Sequence, residues 1–169
     1  EYVEIYKSCS GIHPWATKLM AFELCDAERI CLVDADMVIS SSCPNPFLIY
    51  PPDAFVAVSN QQGHMPEGTL RACADIISQD LKKIGDQFEL ICTYPSLFIN
   101  SGFWVASRPH HANMLTIAKN ISILMYGATS WKDQSALNWA LVRTGTPIFK
   151  APDEWNFQFP PDTGDAPME

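Results

Sequence analysis

The feature that most limits what this chain can fold into is a short apolar run, Ile30-Cys31-Leu32-Val33, that stops abruptly at Asp34-Ala35-Asp36. Four residues are too few for a helix, and none is polar enough to want water. Such a run suits a strand buried on both faces, as in an α/β sheet. In open α/β sheets ligands sit beyond the carboxyl ends of the strands, and the two aspartates fall at that place.

The rest of the chain reads in alternating elements. Tyr2 to Tyr6 alternates like a short strand. Pro14 to Cys25 predicts a helix, with Pro14 in its first turn and Trp15, Leu19, Phe22 and Leu24 on an apolar side. Met37 to Ser40 is a further candidate strand. Cys43 to Asp53, with four prolines, reads as loop, and Phe55 to Ser59 as a buried strand. Asn60 to Gly68 is polar loop, and Thr69 to Ile84 an amphipathic helix. Leu97 to Asn100 and Gly102 to Ser107 look like two strands meeting at Asn100-Ser101-Gly102. His111 to Met125 and Asp133 to Thr144 predict helices, Pro147 to Lys150 a last strand, and the tail from Pro160 a loop. Alternating strands and helices imply an α/β domain with a mostly parallel sheet.

Composition narrows the class. At 169 residues, with 47% apolar and 18% charged, the chain is one domain's worth with a real core, and we read 1–169 as a single domain. A net charge of −8 argues against broad nucleic-acid binding, which wants a basic surface. An acidic chain can still bind a polyphosphate through an intervening divalent cation. No stretch reaches the roughly 18 apolar residues of a membrane span. Cys9, Cys25, Cys31, Cys43, Cys73 and Cys92 form no CxxC pair or zinc-finger spacing. Cys25 and Cys31 lie in apolar runs and read as small buried hydrophobes, leaving disulfides and redox compartment open. His110 and His111 are adjacent at a helix start and point apart, so they make a poor metal pair. The sequon Asn120-Ile121-Ser122 falls in a helical pattern and carries little weight.

Two carboxylates one small residue apart can converge on one hard cation, Mg²⁺ or Mn²⁺, whose shell is then completed by water and substrate phosphates. That leaves room for a diphosphate, whose charge the ion would neutralise as a bond to it breaks. The bland alternative is a strand end with one Asp capping the turn. A second alternative is that Asp34-Ala35-Asp36-Met37-Val38 resembles the first motif of haloacid-dehalogenase-type phosphatases, where the first Asp is a nucleophile.

Further segments extend the pattern: Thr17-Lys18-Leu19 ahead of the strand, Phe98-Ile99-Asn100-Ser101-Gly102-Phe103-Trp104-Val105, then Asp133-Gln134-Ser135-Ala136-Leu137-Asn138, then Trp155-Asn156. With Asp34-Ala35-Asp36, this order resembles glycosyltransferase family 8, glycogenin-like enzymes most closely, over about Thr17 to Asn156. The resemblance implies a GT-A-like, Rossmann-like mostly parallel sheet flanked by helices. It implies a retaining transfer of sugar from a UDP-sugar donor to the hydroxyl of a carbohydrate or glycoprotein acceptor. By the same resemblance, Asp34 and Asp36 bind Mn²⁺ (or Mg²⁺), Ala35 lies close to the ribose, and Lys18 contacts donor phosphate or sugar. Asn100, Ser101 and Gly102 line the sugar pocket, Asp133 holds donor hydroxyls, and Gln134 sits beside the anomeric carbon. The family lacks a well-placed carboxylate nucleophile, and an amide at Gln134 can stabilise an oxocarbenium-like centre.

The chain departs from that family in two ways. About one βαβ unit is missing before Thr17, and no late His follows His111 to serve as a third metal ligand. The expectation is a fragment or trimmed domain, cytoplasmic, or in the Golgi lumen if a longer protein carries an anchor. A glycosyltransferase-like domain that binds without turnover is the alternative, with the phosphohydrolase behind it. Several of these residues also have a structural alternative: Lys18 as a solvated helix residue, Asn100-Ser101-Gly102 as a turn, Asp133 as a helix N-cap, and Trp155 as packing.

Overall fold

A computed structural model describes residues 14–59, 99–124 and 132–156. They form an α/β arrangement with a four-stranded mixed sheet. In chain order the elements are α1 (Pro14–Thr17), a 3₁₀ turn (Lys18–Met20), α2 (Ala21–Leu24), β1 (Arg29–Val33) and α3 (Pro46–Ile49). Then come β2 (Phe55–Ser59), β3 (Ile99–Ser107), α4 (Arg108–Leu124), α5 (Lys132–Thr144), β4 (Ile148–Ala151) and a 3₁₀ turn at Asp153–Asn156.

The strand order is β1-β3-β2-β4. β3 is antiparallel to both neighbours, with Val33 opposite Phe103 and Val56 opposite Val105. β2 and β4 are parallel, with Phe55 opposite Ile148. The sheet is therefore mixed: three strands run one way and β3 runs against them, so two of the three pairings are antiparallel where strand–helix alternation implied parallel ones. The reason is that β3 starts beside the end of β2, Ile99 facing Ser59, and returns along it. Direction is set by that distant pairing, which local patterning does not encode.

Alternation along the strands sorts side chains to two covered faces. One face presents Leu32, Phe55, Ala57, Trp104 and Ala106 to Leu19 and Phe22, to Met114, Leu115 and Ala118 of α4, and to Leu137, Ala140 and Leu141 of α5. Phe55 and Trp104 are both fully buried and stack at 6.0 Å between centroids. Fully burying a ring such as Phe55 stabilises by roughly 2–3 kcal/mol. The other face gathers Val56, Val58, Phe103, Val105 and Ala151, and Met37, Tyr50 and Trp155 pack onto it. Trp155 meets Phe103 edge-on at 5.2 Å, which makes its packing role concrete.

Several local expectations change. The predicted helix over Pro14 to Cys25 is two single turns of α-helix joined by a 3₁₀ turn. Met37 to Ser40 is not a strand, and the expected loop Cys43 to Asp53 contains α3. Asn45 caps that helix by accepting from Phe47 N at 3.0 Å, with Pro46 in the first turn. Arg29 closes its other end, donating to the carbonyls of Phe47 and Tyr50 at 2.9 and 3.0 Å. The expected strand at Tyr2 to Tyr6, the loop Asn60 to Gly68, the helix Thr69 to Ile84, Leu97 and Phe98, Met125, and the tail from Pro160 lie outside the described residues.

The largest local change concerns Asn100-Ser101-Gly102. These residues do not turn the chain; they lie inside one nine-residue strand. Ala57 faces Trp104 and Ser59 faces Ile99, so β3 carries Asn100 to Phe103 where β2 has only Val58. The excess residues make a bulge toward β2, while the ladder to β1 stays in register. Asn100 Oδ1 accepts from Gly102 N at 2.7 Å, satisfying a buried N–H within the bulged segment. The turn chemistry of Asn and Gly is thus used, but to bend a strand rather than to end it.

Candidate site at the carboxyl end of β1

β1, β2 and β4 run the same way, and β1 ends where β3 bulges. Asp34 continues the ladder one step, its N–H donating to Gly102 O at 2.8 Å. Its carboxylate is 40% exposed and meets Lys18, whose Nζ lies 3.0 Å from Oδ1 and 3.4 Å from Oδ2. The 3₁₀ turn places Lys18 there. Its ammonium also donates to Ser101 Oγ at 3.3 Å and to Ser101 O at 3.4 Å.

On the other side of the ammonium stands Asp133, with Oδ2 at 2.9 Å. That distance makes a close, charge-assisted pair, and Oδ2 is buried. Asp133 is the second residue of α5, not its N-cap, and its negative charge in the first turn also suits the helix dipole. Burial pulls the Lys18 pKa down, yet attraction first to Asp133 and then to Asp34 outweighs it and holds the value above the usual lysine range. Lys18 is accordingly charged at every ordinary pH.

α5 is locked onto the bulge by two amides one turn apart. Gln134 Oε1 accepts from Ser101 N at 3.2 Å. Asn138 accepts from Ile99 N at 2.9 Å and donates to Ile99 O at 3.0 Å and to Gln134 O at 2.8 Å. Asn138 closes the motif that begins at Asp133, yet sequence reasoning assigned it no role. Its signal was a polar residue at i+4 from Gln134 on an apolar helix face. Arg108, likewise unremarked, ties the approach to β1 in place through the carbonyls of Phe22, Cys25 and Ala27.

Of the residues singled out in the sequence, Lys18, Asp34, Ser101 and Asp133 come into side-chain proximity, with Gln134, Asn100 and Gly102 forming the wall beside them. Ala35 and Asp36 occupy the turn that follows, closed by Met37 N donating to Asp34 O at 3.1 Å, and both are exposed. Among the described residues no group of three or more His, Cys, Asp or Glu side chains is arranged to hold a metal. Asp34 and Asp36 nonetheless offer a donor set suited to a hard divalent cation: two carboxylates two residues apart, both reachable from solvent.

The neighbouring titratable groups serve structure. His111 is buried and its Nδ1 accepts from Ser107 N at 2.9 Å, while His110 is exposed. Cys31 is a free thiol whose pKa is pushed up to about 11, by burial first and by Cys43 second, so it is a poor nucleophile at neutral pH. No helix among the described residues is long and apolar enough to cross a membrane. No protein-family model, no curated protein and no solved structure matches this chain.

Proposed function

We propose that the chain carries the donor site of a metal-dependent retaining glycosyltransferase, taking a nucleotide-sugar, UDP-linked by preference, and passing the sugar to a carbohydrate or glycoprotein hydroxyl. The observation that carries the reading is the convergence of Lys18 on two carboxylates, Asp34 and Asp133, at the carboxyl end of a buried strand, with the exposed Asp36 two residues beyond Asp34. In this reading Asp133 would accept hydrogen bonds from hydroxyls of the donor sugar. Asp34 and Asp36 would hold Mn²⁺ or Mg²⁺, which when bound neutralises charge on the leaving diphosphate. Lys18 adds a fixed positive charge beside it. The Ser101 N–H holds the amide oxygen of Gln134, fixing the orientation of its dipole near the donor sugar. In this reading Asn100, Ser101 and Gly102 would line the donor sugar from the bulged strand, and the backbone at Ala35, between the two aspartates, would lie close to the ribose.

The test is calorimetric titration of UDP, with and without Mn²⁺, into the protein and an Asp34→Asn variant. Binding that requires both the metal and Asp34 supports the reading, and UDP binding indifferent to both sinks it. One observation favours a second reading, a domain that binds donor without turnover: Lys18 is already engaged internally by Asp34 and Asp133. Release of UDP from UDP-hexose in the presence of Mn²⁺ excludes that alternative.

A further inference from the structure

We propose that Lys18 is a displaceable internal counter-ion, which a divalent cation must draw off Asp34 before its ammonium can serve an anion, so that cation and diphosphate bind cooperatively. This rests on reading Asp34 and Asp36 as the cation site.

The argument starts from the ammonium's three donors. Lys18 Nζ makes hydrogen bonds to Asp34 and to Ser101, and faces Asp133 at 2.9 Å. Nothing in that arrangement is spare for a phosphate oxygen. The two carboxylates are not equivalent, however. Asp133 is 10% exposed at the start of α5, whereas Asp34 is 40% exposed and Asp36, two residues on, is exposed. An incoming cation therefore reaches Asp34 and not Asp133. A hard divalent ion on Asp34 repels the neighbouring ammonium and takes the lone pairs it had used. Lys18 keeps Asp133 and Ser101 and gains a free N–H, and its flexible four-carbon stem lets that donor reorient. The cation thus creates the anion's hydrogen-bond donor, and by linkage the anion must strengthen the cation in return.

The test compares wild type with a variant carrying Lys18→Met and Asp133→Asn together. The pair of changes leaves the cluster's net charge at its original value, so altered cation affinity cannot come from net charge alone. Free Mn²⁺ is counted by electron paramagnetic resonance, with inorganic pyrophosphate or UDP as the anion and the Mn²⁺ each anion chelates without protein subtracted, and circular dichroism checks the fold. Lys18→Gln with Asp133→Asn replaces the variant if methionine disrupts folding.

Wild type is expected to bind Mn²⁺ roughly tenfold more tightly once pyrophosphate or UDP is present. The variant is expected to bind Mn²⁺ alone roughly tenfold more tightly than wild type, and to lose most of the gain from the anion. A variant no tighter than wild type overturns the inference. Cooperativity with pyrophosphate but not with UDP upholds the counter-ion and overturns the nucleotide-sugar reading. No Mn²⁺ binding by either protein overturns both.

Discussion

Asn138 treats Ile99 as a neighbouring strand would: its amide oxygen accepts the Ile99 N–H at 2.9 Å, and its amide nitrogen donates to the Ile99 carbonyl at 3.0 Å. One side chain on α5 thereby pairs both backbone groups of the first residue of β3, and is itself only 3% exposed. Since Gln134 and Asp133 lie about one turn earlier, this contact sets the height at which they meet Ser101 and Lys18.

Asn138→Ala should cost about 3 kcal/mol of stability, because it strands buried polar groups on Ile99 as well as removing the bonds. Urea unfolding measures that loss. Hydrogen exchange adds the local signature: protection of the Ser101 amide, which Gln134 holds, should fall with that of Ile99. Unchanged protection at Ser101 would show that α5 is registered by something else.

α5 ends on Gly145, whose φ of +63° lies in the left-handed region. Gly145 N donates to Val142 O and Thr146 N to Leu141 O, both at 3.1 Å, the paired bonds of a Schellman ending. A Cβ there would meet nothing within 4 Å. Gly145→Ala should therefore destabilise by about 1 kcal/mol from backbone conformation alone. A thermal shift far larger than that would point to a steric cause instead.

Burial, with the neighbouring His110, holds the His111 pKa below its usual 6.5, against the opposing influence of the Asp53 and Ser107 backbone. A depressed histidine means the folded state binds fewer protons than the unfolded state in that range. Its contribution is complete above pH 6.5 and is lost as pH falls below 6.5 and through the lower folded value. His111→Phe should flatten the fall in urea midpoint between about pH 6.5 and 5 relative to wild type. Parallel curves would remove His111 as the cause.

Arg108 lies over the Phe22 ring at 5.1 Å and donates to three carbonyls of the segment leading into β1. Arg108→Met keeps much of the packing and drops the donors, and should cost about 2 kcal/mol. If β1 is positioned through this clamp, Mn²⁺ affinity should weaken with it, and unaltered affinity would confine Arg108 to stability.

What could be read in the sequence was what local pattern encodes. The apolar lead-in to Asp34 marked β1, the run at Phe55 marked β2, and the periodicity after Asp133 marked α5. The continuity of β3 was not legible, because Asn100 and Gly102 carry turn preferences that here serve a bulge held by strand and helix partners. Strand direction was hidden for the same reason, being fixed by Ile99 meeting Ser59. At the candidate site, the residue types were visible but their relations were not. Lys18 and Asp133 are far apart in the chain, and nothing local announces an ion pair between them. Asp36 looked like the equal of Asp34, yet it sits outward on the turn with Ala35 while Asp34 is drawn into the ladder.

The placement of β3 between β1 and β2 has a consequence for how the molecule is made. Val33 and Phe103 face each other across the sheet although 70 positions separate them. During synthesis β1 and β2 leave the ribosome well before β3, the strand that lies between them in the finished sheet. Both hydrophobic edges must wait unpaired until Ile99 to Ser107 has emerged, and closing so long a loop is slow. The nascent chain is therefore most vulnerable to aggregation in that interval, and a chaperone that holds extended apolar segments would find its best target in the newly made β1.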